Sequence, residues 1–178
     1  LGNEDEGQVG ALIVGGVLGA LLATPKPEER QWLDYRKECS DRSKIINHLI
    51  PSSSVPEIVK SYIHESRQLF CLGYFRSSSI VSAISVEVAL KEKYKTNLIP
   101  LQAENKSERT EPKGFYQLLE WAQQQNLLSK DTFGMVDGLR ILRNEEYIHP
   151  KDGKVSLDDA QLMHSIAIRA ANQIFEMK

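Results

Sequence analysis

Between Leu139 and Pro150 the chain reads LRILRNEEYIHP, which places a guanidinium, an amide and an imidazole within two helical turns and follows them with proline. Arg143 keeps its charge at physiological pH and presents a planar fork of donors matched to phosphate oxygens. His149 gives or takes a proton near neutrality. Together they suit cleavage of an RNA phosphodiester. There a 2'-hydroxyl loses a proton, a 5'-oxygen gains one, and the charge on the phosphorane between them is stabilised.

Such chemistry needs elements that bring the two side chains together. Residues six apart on an ideal helix sit about 120° from each other, so Arg143 and His149 converge only if the helix bends before Pro150. A residue before proline is pushed out of helical dihedrals, and His149 is that residue. The competing reading is structural: Arg143 pairs with Glu146 or Glu87, and His149 caps the last helical carbonyls. Arg143 lies seven residues after Val136 and three after Arg140, which puts it close to a buried seam. Glu87 interrupts the apolar face of an earlier helix, where a carboxylate is costly unless a cation from another helix meets it. Arg143 or Arg140 would supply that cation. Glu87 then either orients Arg143 in a site or makes an interhelix salt bridge, unless it simply faces solvent beside Lys91. Tyr147 would stack on a base or serve packing alone.

The pattern Arg143-Asn144, four residues, His149-Pro150 resembles the arginine, four to six residues, histidine signature of the HEPN family. The resemblance covers Val55 to Lys178. It includes HESRQLFCLGYFRSSSIVSAISVEVALKEKY from His64 to Tyr94, which looks like the first two helices of HEPN domains and of their uncharacterised relatives. Many of those relatives read Arg-Asn, three residues, His, one residue fewer than here. The resemblance implies a metal-independent endoribonuclease without a cofactor, of a toxin or host-defence setting, in which two protomers bring their motifs together. It assigns Arg143 to the scissile phosphate, His149 to acid or base work, and Asn144 to phosphate or the motif backbone; the residue pattern adds Glu87, Tyr147 and Arg140 in support. A second possibility, of another class, is a non-catalytic HEPN-like interaction or scaffold module that binds a partner protein and has a self-associating or membrane-targeting N-terminal segment.

Composition is that of a globular chain: of 178 residues, 41% are hydrophobic and 26% charged, enough to bury one core and clothe it. A net charge of −2 gives no general attraction to nucleic acid, so RNA binding would rest on local patches. Lys91, Lys93 and Lys95 form one candidate patch, and Lys106, Arg109 and Lys113 another; each also reads as a solvated surface. Cys39 and Cys71 are too few for a disulfide framework, and the four histidines lack metal-site spacing, so no metal is expected. A cytoplasmic location follows, with membrane association as the alternative.

That alternative comes from Val9–Ala23, VGALIVGGVLGALLA, an apolar glycine-rich stretch expected to be helical. Ala11, Gly15, Gly19 and Ala23 recur every four residues and would let a second helix approach closely. The stretch is shorter than the roughly 20 residues of a spanning helix and has no basic residues before it, so it predicts self-association, docking or membrane contact. It is no phosphate loop, lacking a following Lys-Ser/Thr. Residues 1–27 thus form an acidic start, this segment and a proline linker, 28–54 a helical extension, and 55–178 the HEPN-like bundle.

Periodicity predicts helices over Glu28–Ile50, Val55–Tyr74, Arg76–Tyr94, from Gly114, over Lys130–Glu146 and over Leu157–Lys178. Ser53 or Ser54, Ser129, and Ser156 with Asp159 are the expected caps. The expected inward rows are Ile80, Ile84 and Val88; Phe115, Leu118, Leu119 and Ala122; Phe133, Val136 and Leu139–Leu142; and Leu162, Ile166, Ala170 and Ile174. Asn97–Lys113, polar and with two prolines, reads as a long loop. The predicted fold is an all-α, antiparallel up-and-down bundle of four to five helices. A dimer or larger assembly is expected from the glycine face and the resemblance together.

Overall fold

A computed structural model describes residues 27–102, 114–148 and 155–176. Among these there are six helices and no strand: α1 Pro27–Ile46, α2 Glu57–Cys71, α3 Phe75–Gln102, α4 Phe115–Gln124, α5 Lys130–Ile148 and α6 Leu157–Glu176. The described residues are therefore all-helical, with five helices after residue 55. The apolar stretch Val9–Ala23 lies outside the described residues, and no helix among those described is long and apolar enough to cross a membrane.

Two compact units divide the chain, Leu1–Lys37 and Glu38–Lys178, with the boundary inside α1. In the first, Trp32 and Tyr35 stack with ring centroids 6.0 Å apart. In the second, α3 is the central helix and touches α2, α4, α5 and α6. Its main core joins Val59 and Ile63 of α2, Val86 and Leu90 of α3, Leu118 and Leu119 of α4, Val136 of α5, and Ile168 and Ile174 of α6. A smaller cluster joins Ile46, Phe70 and Ala160.

The ends of the helices follow local chemistry. Gly73 closes α2 with φ +84°, a left-handed conformation that costs a side-chain-bearing residue, and its N–H donates to Phe70 O at 3.0 Å. Arg42 Nε donates to the Cys71 carbonyl at 2.8 Å, so a side chain of α1 also satisfies the end of α2. Ser129 caps α5 by accepting from the Thr132 N–H at 3.3 Å. Ser156 and Asp159 close a reciprocal box at the start of α6: Asp159 N–H donates to Ser156 Oγ at 3.1 Å, and Ser156 N–H to Asp159 Oδ2 at 3.2 Å. The expected cap from Ser53 or Ser54 does not form, because Pro56 occupies the N-cap position and the Ser54 hydroxyl turns to Ser52 Oγ at 3.1 Å.

Four further expectations are corrected. Helix α3 continues through Asn97 to Gln102, so residues 97–102 of the expected loop are helical, and 103–113 lie outside the described residues. The row Ile80, Ile84 and Val88 is only half-buried. The fully buried positions of α3 are Ser78, Ser82, Ser85, Val86, Ala89 and their neighbours, since small residues lie where a helix with four neighbours is approached most closely. On α5 only Leu139 of the Leu139–Leu142 run is buried, while Ile141 and Leu142 are exposed. On α6 Leu162 is exposed, and the inward stripe is Ala160, His164, Ala167, Ala171 and Ile174. That register brings a histidine into the core.

Candidate functional site

The α5 stripe Thr132, Val136 and Leu139 is buried, and Arg143 comes one turn after Leu139 on the same side. This register leaves the Arg143 side chain 28% exposed, at the seam between α5 and α3. There Glu87 of α3 meets it: Arg143 Nη1 donates to Glu87 Oε2, while Lys91 Nζ pairs with Glu87 Oε1 at 2.7 Å. The guanidinium also lies over the Phe115 ring, 5.7 Å from its centroid. Burial pushes the Glu87 carboxyl up, but bonds and charge from Lys91 and Arg143 outweigh it and hold the group below the usual carboxylate range. Glu87 is therefore ionised at neutral pH between two cations.

Of the two cations named as partners for Glu87, the one in contact is Arg143. Arg140 instead pairs with Asp137 at 2.7 Å and lies over the Tyr116 ring at 5.0 Å. Asn144 is exposed beside Arg143. His149, Pro150 and the side chain of Tyr147 lie outside the described residues; α5 is helical as far as Ile148. Of the lysines on α3, Lys93 sits over the Phe175 ring at 5.7 Å and Lys95 pairs with Glu92 at 2.9 Å. Lys106, Arg109 and Lys113 lie outside the described residues. Phe115 beneath Arg143 was not singled out by its sequence, where it reads as one more apolar core residue of α4.

A second polar cluster is hidden in the core, where α2, α3 and α6 meet. Ser66 Oγ lies 2.7 Å from Ser82 Oγ, 3.1 Å from His164 Nδ1 and 3.0 Å from the Ser78 carbonyl. Ser78 Oγ donates to the Ser66 carbonyl at 2.9 Å, tying the two helices from both sides. A hydroxyl has one proton and two lone pairs. If Ser66 donates to Ser78 O, then Ser82 and the His164 Nδ1–H both donate to Ser66 Oγ, and His164 Nε2 carries a lone pair. That nitrogen is buried and has no hydrogen-bond partner among the described residues. Burial, with the charge of Arg67 adding to it, pushes His164 down to about 4. The imidazole is neutral at physiological pH.

Ser66 and His164 thus have the atoms of a nucleophile and base, but both are fully buried. Their arrangement is that of a structural network. An open cleft of about 340 Å³ lined by Gly73–Ser77 and Val155 includes neither this pair nor Glu87, Lys91 or Arg143. Among the described residues no three metal-ligating side chains converge. Lys91, Glu87 and Arg143, by contrast, have access to solvent.

Comparison with known protein families, with curated proteins and with solved structures finds no match for this chain.

Proposed function

We propose that the chain is a metal-independent endoribonuclease of HEPN type, working as a dimer in a toxin or host-defence setting. The observation that carries this reading is Arg143, a half-buried cation held by Glu87 and Phe115, with His149-Pro150 following six residues later in the sequence. In the reaction, the 2'-oxygen attacks phosphorus while its proton passes to one His149. The bond from phosphorus to the 5'-oxygen breaks, and the leaving oxygen takes a proton from the other protomer's copy of that imidazole. Arg143 neutralises the charge on the phosphorane, and Asn144 holds phosphate or the motif backbone. The products are a 2',3'-cyclic phosphate and a 5'-hydroxyl, with no water consumed.

A second reading is a non-catalytic interaction module. It is favoured by the exposed apolar residues Met135, Ile141 and Leu142 on α5. One experiment separates the two. Purified protein is incubated with a mixed RNA pool in EDTA beside Arg143→Ala and His149→Ala, each first shown by circular dichroism to be folded. Cyclic phosphate ends that vanish in both variants are the expected result, with a loss of at least about 100-fold for removal of the acid–base group. No cleavage by folded protein, or cleavage that both variants retain, sinks the nuclease and leaves the interaction module.

A further inference from the structure

We propose that Lys91 and Arg143, spanned by Glu87, form a two-cation seat for one phosphate of single-stranded RNA, with Lys91 as an affinity-setting contact. The ligand class rests on the nuclease reading, whereas the seat follows from the geometry of α3 and α5.

Three features support the seat. Each oxygen of Glu87 serves a different cation, Oε1 taking Lys91 Nζ at 2.7 Å and Oε2 taking Arg143 Nη1. The two cations therefore stand one carboxylate apart, a span that the two non-bridging oxygens of a phosphate also cover. Secondly, Glu87 engages Arg143 through one nitrogen and does not close on the guanidinium fork, which has five N–H donors. Thirdly, exposure rises from 16% for the Glu87 side chain through 28% for Arg143 to 49% for Lys91. The carboxylate lies innermost and the surplus positive charge faces solvent. Neighbouring cations are engaged otherwise: Lys93 with Phe175, Lys95 with Glu92, and Arg140 with Asp137 and Tyr116. Among the described residues, Glu87 is the carboxylate that pairs with both Lys91 and Arg143.

Glu87 is then a positioning residue. It sets the distance between two groups that would otherwise repel, and its charge is already neutralised when a phosphate arrives. The incoming anion meets a net single positive charge from the three groups.

The test uses a fluorescent single-stranded 2'-O-methyl oligoribonucleotide, which has phosphates but no attacking hydroxyl, with anisotropy read over a range of salt. Lys91→Gln is expected to weaken binding about tenfold and to make the salt dependence shallower by about 0.7 in log–log slope, one phosphate contact on a single strand. Lys91→Arg should retain both affinity and slope, and Lys60→Gln, which removes a lysine paired with Glu57 on α2 and outside the candidate patches, should change neither. Binding by Lys91→Gln equal to that of Lys60→Gln, or no binding by the wild-type protein, overturns the seat. Cleavage of unmodified RNA is followed in parallel. Lys91-dependent binding without cleavage sinks only the nuclease, and Arg143-dependent cleavage with binding indifferent to Lys91 sinks only the seat.

Discussion

Ser66 commits its one proton and both lone pairs to three polar neighbours, and this makes it the residue on which the buried network depends. Replacing it with alanine leaves His164 with neither ring nitrogen bonded and also strips a partner from Ser82. Ser66→Ala is therefore expected to destabilise the fold by about 2–3 kcal/mol, the cost of stranding buried polar atoms. Ser85 makes a contrasting control. Its hydroxyl donates back along its own helix to the Ser82 carbonyl at 2.7 Å, so Ser85→Ala should cost less than about 1 kcal/mol. Urea denaturation at neutral pH checks both, and equal losses would remove Ser66 from its central role. Legibility in the sequence differs for the two polar clusters. Glu87 could be read because a carboxylate on an apolar face demands a cation, and Arg143 was one of two candidates at the right height. His164 could not be read so easily, because its companions on the buried stripe are alanines and its bonding partners are serines. Neither type announces a core. A usable signal was the spacing Ala160, His164, Ala167, Ala171, Ile174, a run of steps of three and four.

At the scale of elements, the α2–α3 hairpin turns on Gly73, which is both left-handed and crowded. A Cβ built there would come within 3.3 Å of Arg42 Nη1, the side chain that also caps α2. Gly73→Ala is expected to cost about 1–2 kcal/mol through backbone strain. Gly134 and Gly138 on α5 have nothing within 4 Å of such a Cβ and lie inside a helix, so alanine at either should be neutral or stabilising by up to about 1 kcal/mol. Thermal melts of the three variants check the contrast; a stabilised Gly73→Ala would show that the turn does not need positive φ. The turn itself was legible, since glycine followed by serines marks a break. The extent and facing of α3 were not. Polarity and proline at Asn97–Pro100 suggested a loop, yet the helix runs on to Gln102. The apolar row Ile80, Ile84, Val88 suggested the core face, yet serines and alanines are buried deeper. A spacing of four finds the greasiest line along a helix. It does not find the side on which neighbours come closest, and for a helix with four neighbours the two differ.

At the scale of the whole molecule, stability is expected to fall in acid, because His164 and Glu87, two shielded groups among the described residues, are both shifted down. His164 has a folded value of about 4 against an ordinary 6.5, so below about pH 6.5 the unfolded chain binds a proton that the folded chain refuses. Its contribution is fully present above pH 6.5 and is lost as pH falls towards 4. The difference between the two values corresponds to about 3 kcal/mol, a large part of the roughly 5–15 kcal/mol that holds a domain together. Glu87, held below its ordinary range, adds a loss of the same sign, but only as pH falls below its usual value of 4.5, where the unfolded carboxyl protonates first. The two windows separate the groups. Urea denaturation between about pH 7.5 and pH 4.5 should show wild-type stability level down to about pH 6.5 and falling below it, with most of the fall due to His164. In His164→Asn, which lacks the titrating ring and keeps an amide able to donate to Ser66, the baseline at pH 7.5 should drop by about 1–3 kcal/mol and the slope down to pH 5 should flatten. If the slope survives unchanged in that variant, the imidazole is not the group that refuses the proton, and acid sensitivity must come from carboxylates instead.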